Sequence, residues 1–174
     1  MEIVGQIVIG VIIAAATAYA ALMRFYDEKW WEKKLHYFLT QTDAAYLLHR
    51  SIKYWNDKGQ YLSDEKLHPE FIMLSVPEEA NLKNQFICSL AELDKFSYMG
   101  SLLTSEQSAK IIKRFQISYR GVAERLVAND KDKDALASAL GFSLTLLNEL
   151  VAEAKEELKI KNGKRLAFFE HFKG

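Results

Sequence analysis

Ile3-Val4-Gly5-Gln6-Ile7-Val8-Ile9-Gly10-Val11-Ile12-Ile13-Ala14-Ala15-Ala16-Thr17-Ala18-Tyr19-Ala20-Ala21-Leu22-Met23 carries no charged side chain, and the residue after it is Arg24. At 1.5 Å per residue a helix of that length rises about 30 Å, the thickness of a bilayer's hydrocarbon core. Backbone groups inside a bilayer must bond within their own segment, so a lone span has to be helical. Its polar residues are Gln6, Thr17 and Tyr19, the last placed where an aromatic ring can reach the interface. A cleaved signal peptide is the competing reading, because Ala18-Tyr19-Ala20 matches a cleavage pattern. The N-terminal flank, however, holds no Lys or Arg, and the run exceeds the roughly 7–15 apolar residues of a secretory signal. An uncleaved anchor over residues 1–23 is expected.

Working outward, Arg24, Lys29, Lys33 and Lys34 follow the run closely and no basic side chain precedes it. The positive-inside rule then puts the N-terminus outside and the remainder in the cytoplasm. A single cysteine, Cys88, agrees with a reducing compartment. Lying among Phe86, Ile87 and Leu90, it is expected to be a small buried hydrophobe. Lys and Arg total 23, matching the 23 Asp and Glu, and the two signs are interspersed. That balance argues against a nucleic-acid partner, which needs a concentrated basic face.

The chain past the anchor is long enough for one domain with a substantial core, and two prolines leave little room for an all-β fold. Trp31, Leu35, Phe38, Ala45, Leu48, Ile52 and Trp55 mark one helical face, with a stop expected at Gly59. The span and this helix have no breaker between them, so they are expected to be continuous or nearly so. Gln60–Val76 is irregular, since His68 and Val76 each precede a proline. Ser75 and Glu78 form a capping box with Pro77 in the first turn, opening a helix with Leu82, Phe86, Leu90, Leu93 and Phe96 on one side. Thr104 and Gln107 suggest a second capping box, followed by Ile112, Phe115, Tyr119, Val122 and Leu126. After the polar turn Asn129–Asp134, whose acids suit a helix start, comes a stripe of Leu136, Leu140, Leu144, Leu147, Val151, Ala154 and Leu158, ending near Asn162-Gly163. The expected fold is all-α: an N-terminal transmembrane helix followed by an antiparallel bundle of four main helices, with Leu93, Phe115, Leu144 and Leu147 buried. Residues 24–58 would form the juxtamembrane stretch and first bundle helix, 59–162 the rest of the bundle, and 163–174 a short amphipathic tail.

Catalytic chemistry has little to stand on. A di-iron bundle requires two Glu-x-x-His pairs, and the chain has one, Glu65-x-x-His68, beside Pro69. Glu32 and His36 share a face but form an ordinary surface pair. No nucleophile elbow or Gly-rich phosphate loop occurs. No catalytic residue, metal site or cofactor is expected, and the chain is read as a non-enzyme.

Two features point to association. Gly10, Ala14 and Ala18 recur every four residues, a spacing that lets membrane helices approach closely and supports a homo-oligomer, although alanine-rich spans give such stripes by chance. Arg24, Lys29, Trp30, Trp31, Lys33 and Lys34 form an aromatic–basic collar suited to lipid headgroups or a second membrane protein, the simpler alternative being an interfacial belt.

A span followed by Trp31-Glu32-Lys33-Lys34 and Tyr37, and then Ser97-Tyr98-Met99-Gly100-Ser101-Leu102-Leu103-Thr104-Ser105-Glu106, resembles a diffuse group of uncharacterised bacterial proteins with one N-terminal transmembrane helix and a helical cytoplasmic domain. This chain has Leu35 where that group commonly has alanine. The resemblance implies a bacterial source and supports this architecture, the span then lying in the inner membrane, and it brings no activity or catalytic residues. The functional expectation is a membrane-tethered interaction module holding an unidentified protein partner or further copies of itself. The alternative is a membrane-acting effector, a toxin or defence component, that oligomerises through its span.

Overall fold

A computed structural model describes the backbone over residues 2–64, 69–129 and 132–170, and side chains over 13–64, 69–129 and 132–158. Four helices account for almost all of it: α1 (Glu2–Tyr61), α2 (Val76–Leu103), α3 (Glu106–Ala128) and α4 (Lys133–Glu170). No strand occurs among the described residues. The chain divides into two compact units, Met1–His36 and Tyr37–Gly174.

The second unit is an antiparallel bundle, because cross-helix pairs run in opposite senses. Between α1 and α2, Tyr37 meets Phe96 edge-on, Trp55 meets Phe86, and Lys58 pairs with Glu79. Between α2 and α3, Phe86 meets Tyr119 and Asp94 accepts from Gln116. Ser105 at the start of α3 reaches Glu153 midway along α4, while Arg125 at its end reaches Asp132 just before α4.

The core confirms three of the four faces read from the sequence. Phe38, Ala45, Leu48 and Ile52 of α1, Leu82, Leu93 and Phe96 of α2, and Ile112, Phe115 and Val122 of α3 are all buried. Many interior neighbours are small, and three buried serines donate their hydroxyls to backbone carbonyls, Ser51 to Leu47, Ser97 to Asp94 and Ser143 to Leu140. Gly100 lies close against α3: a Cβ there would lie 3.2 Å from that of Ala109.

Helix α4 corrects the fourth face. Ala135, Ala139, Ser143, Leu146 and Leu150 are buried, each one residue before a member of the expected stripe; within that stripe Leu136 is buried as expected, whereas Leu144 is 45% exposed and Leu147 half-buried. The helix is apolar on nearly every side, so periodicity alone did not single out the inner face. Ala135, Ala139 and Ser143 let neighbouring backbones come near, and that tighter packing selects their side.

Helix ends bring further corrections. The α3 N-cap is Ser105, whose oxygen accepts from the Ser108 amide at 3.0 Å, and not Thr104, which closes α2 by donating to the Gly100 carbonyl. Such a cap contributes about 1 kcal/mol. The expected box at Ser75 is seen from its Glu78 side, that carboxylate accepting from the Ser75 amide at 2.8 Å. Asp132 caps α4 through the Ala135 amide, and Arg125 and the cap together hold its carboxyl below the usual range, the cap having the larger effect. Gly59 does not stop α1, which continues to Tyr61, and α4 passes Asn162-Gly163 to reach Glu170. One glycine costs a helix about 1 kcal/mol, too little to end either of these.

Cys88 is exposed, against expectation. Its neighbour Ser89 faces inward, in line with Leu82, Leu93 and Phe96. One helical step, about 100°, turns Cys88 out of that stripe.

Among the described residues the helix segment long and apolar enough to cross a membrane is Lys133–Leu158, within α4, and 28% of its most apolar window is buried. A span over Ile3–Met23 finds no such support. The side chains of residues 3–12 lie outside the described residues, and Ile13–Met23 alone would rise only about 17 Å.

Candidate functional site

The last turns of α1, the start of α2, the end of α3 and the start of α4 meet at one end of the bundle and leave a groove of about 900 Å³. Trp55, Phe86, Leu126 and Leu136 line it from the four helices, and Leu62, Val76 and Ile87 stand along its edges. Lys58, Lys83, Lys133 and Glu79 supply its charges. The Trp55 and Phe86 rings meet edge-to-face, centroids 5.0 Å apart.

One wall is fixed by a polar cluster. Glu79 sits in the first turn of α2, where the helix dipole favours an acid. It accepts from Lys58 and from the Tyr54 hydroxyl. Those two hydrogen bonds, Lys58 foremost, hold its carboxyl below the ordinary range, while burial and Glu79 push the Tyr54 hydroxyl up. The Tyr54 oxygen also accepts from the Leu74 amide at 3.2 Å, and its ring lies 5.6 Å from that of Phe71, which in turn meets Tyr61. The chain leading into α2 is thereby tied to α1.

Lys83 and Lys133 have no carboxylate partner among the described residues. Counting Lys58 and Glu79 as neutralising each other, the groove keeps two positive charges beside an apolar floor. Its described lining contains no His, Cys or Asp, and its one hydroxyl, that of Ser63, donates to the Gly59 carbonyl at 2.8 Å. Among the described residues no group of three His, Cys, Asp or Glu could hold a metal. Glu65 and His68 lie outside the described residues.

His49 and Ser143 come close in space, Nδ1 to Oγ 2.9 Å. The Ser143 hydroxyl donates to the Leu140 carbonyl at 2.9 Å, so it accepts from His49, whose Nδ1 carries the proton. Ser143 is also fully buried. The pair is a structural link between α1 and α4. Burial, and secondarily Lys53, pushes the His49 pKa below 6.5. The folded chain therefore resists a proton that the unfolded chain accepts, and stability should be complete above about pH 6.5 and decline as pH falls through the lower folded value. Urea unfolding between pH 7.5 and 5 should show that decline, and His49→Asn, which keeps a donor near Nδ1, should flatten it. An equal decline in both proteins would remove His49 as the cause.

The residues singled out from sequence run from Gly10 to Lys34 of α1, and none of them is among the residues lining the groove. Ala14 and Ala18 are exposed along α1, and the surroundings of Gly10 lie outside the described residues. Arg24 pairs with Glu28 at 3.3 Å and Lys29 with Glu32 at 2.9 Å, so nearby acids offset part of the collar's charge. Trp30 is 51% exposed, Lys33 is exposed, and Trp31 and Lys34 are half-buried. Sequence reading missed the groove: of its lining only Trp55, Phe86, Leu126 and Leu136 stood in periodic stripes, and no motif joins its lysines.

No known protein family matches the chain, and neither does any characterised protein or solved structure.

Proposed function

We propose that the chain is a membrane-tethered interaction module: an anchor formed by Ile3–Met23 with a helical bundle presented in the bacterial cytoplasm. One observation carries the tether. Every side chain from Ile13 to Trp30 is exposed, and none from Ile13 to Met23 is charged. An apolar helix bare on all sides is stable only where lipid or other protein covers it. The Thr17 hydroxyl donates to the Ile13 carbonyl at 2.8 Å, which removes one polar group from the surface and favours a tether over an effector needing a polar stripe. The basic collar suits the cytoplasmic leaflet, and the resemblance to bacterial single-pass proteins agrees. Alkaline extraction of membranes tests the anchor. The full chain should stay in the pellet and a variant lacking residues 2–23 should be released, while a reporter fused after Gly174 should work only if it is active in cytoplasm. Retention of the deletion variant would transfer anchoring to Lys133–Leu158.

A further inference from the structure

We propose that the groove between the ends of the four helices holds one amphipathic helix of a partner protein, whose apolar stripe is flanked by acidic side chains. This rests on reading the bundle as an interaction module and names the chemistry of its partner. The floor of Trp55, Phe86, Leu126 and Leu136 is apolar, and Lys83 and Lys133, both unpaired among the described residues, enter from α2 and α4. An occupant complementary to this surface presents apolar side chains to the floor and carboxylates to the lysines.

The shape of the edges decides between a peptide and a small amphiphile. Val76 is 83% exposed, Leu62 65% and Ile87 53%. A small ligand is held in a cavity that buries most of its surface, and it would leave these outer ridges bare. A helix about 10 Å across covers floor and ridges together. The chain's own tail is unsuited, since Lys159, Lys161, Lys164, Arg165 and Lys173 give it the same charge as the groove.

The test uses the full chain in phosphatidylcholine nanodiscs and two fluorescent 18-residue peptides with one leucine stripe, flanked by glutamates in one and by lysines in the other. Anisotropy titration should show the glutamate peptide binding at least tenfold more tightly, with the preference shrinking as salt rises. Lys83→Glu with Lys133→Glu should reverse the preference, and Ile87→Asp, at an exposed site that leaves the fold intact, should abolish binding of both. Equal binding, binding of neither peptide, or a preference indifferent to the two lysines overturns the proposal. So does lysine-dependent uptake of a fluorescent fatty acid without peptide binding.

Photocrosslinkers placed at Ile87 and at Ile117 in living cells separate this inference from the module reading. An adduct at Ile87 that disappears in the double lysine variant supports the groove. A discrete adduct at Ile117 alone overturns the groove and leaves the module, whereas none at either position removes both.

Discussion

Leu146→Ala should cost about 2–5 kcal/mol of unfolding free energy, and Leu144→Ala, two residues away, less than about 0.5 kcal/mol. Leu146 is 2% exposed and belongs to the core cluster with Leu48, Leu93 and Phe96, so truncation removes buried methyl groups and leaves a void the neighbours fill only in part. Leu144 is 45% exposed and loses mainly solvent-facing surface. Domains of this kind are stable by about 5–15 kcal/mol, so the first change takes a large share of the total. Urea denaturation with a common slope measures both. Equal losses would mean that α4 is rotated about its axis, with Leu144 turned toward the core.

That contrast also explains what could be read from the sequence and what could not. α3 alternates sharply between Ile112, Phe115 and Val122 on one side and charged residues such as Lys110, Lys113 and Arg114 on the other, and its face was legible. α1 was legible from Phe38 to Ile52 for the same reason. α4 offers Ala135, Leu136, Ala139, Leu140, Leu144, Leu146 and Leu147 within a few turns, so hydrophobicity points in several directions. The choice among them is made by close packing against α1 and α3, a tertiary effect without a local signature. Cys88 was misplaced by the same mechanism, because Ser89, though polar, is small enough to be the inward residue.

The groove was illegible for a different reason. Lys58, Lys83 and Lys133 sit on three helices, and only the antiparallel arrangement brings them to one end. Leu62 and Val76 flank the irregular stretch where no period exists to reveal them. The N-terminal apolar run, by contrast, is a purely local property of composition, and the exposed residues from Ile13 to Met23 pose the question of what covers them more directly than any motif does.

Gln41→Met should raise stability by about 1–3 kcal/mol, although it alters a fully buried core residue. Both amide atoms of Gln41 are shielded from solvent and have no hydrogen-bonding partner among the described residues. A buried amide in that state has lost its water and gained nothing in exchange, so it destabilises the fold by roughly the desolvation cost of its polar atoms. Methionine has nearly the same length and an unbranched, adaptable chain, and it fills the space without the penalty. The other interior polar side chains contrast with it: Ser51, Ser97 and Thr104 each reach a backbone carbonyl within one turn, an option a longer amide on a straight helix lacks. The change should appear as a higher urea midpoint with an unaltered slope. A loss of stability would show instead that an ordered water bonds the amide, since removing Gln41 would then orphan that water's other partners.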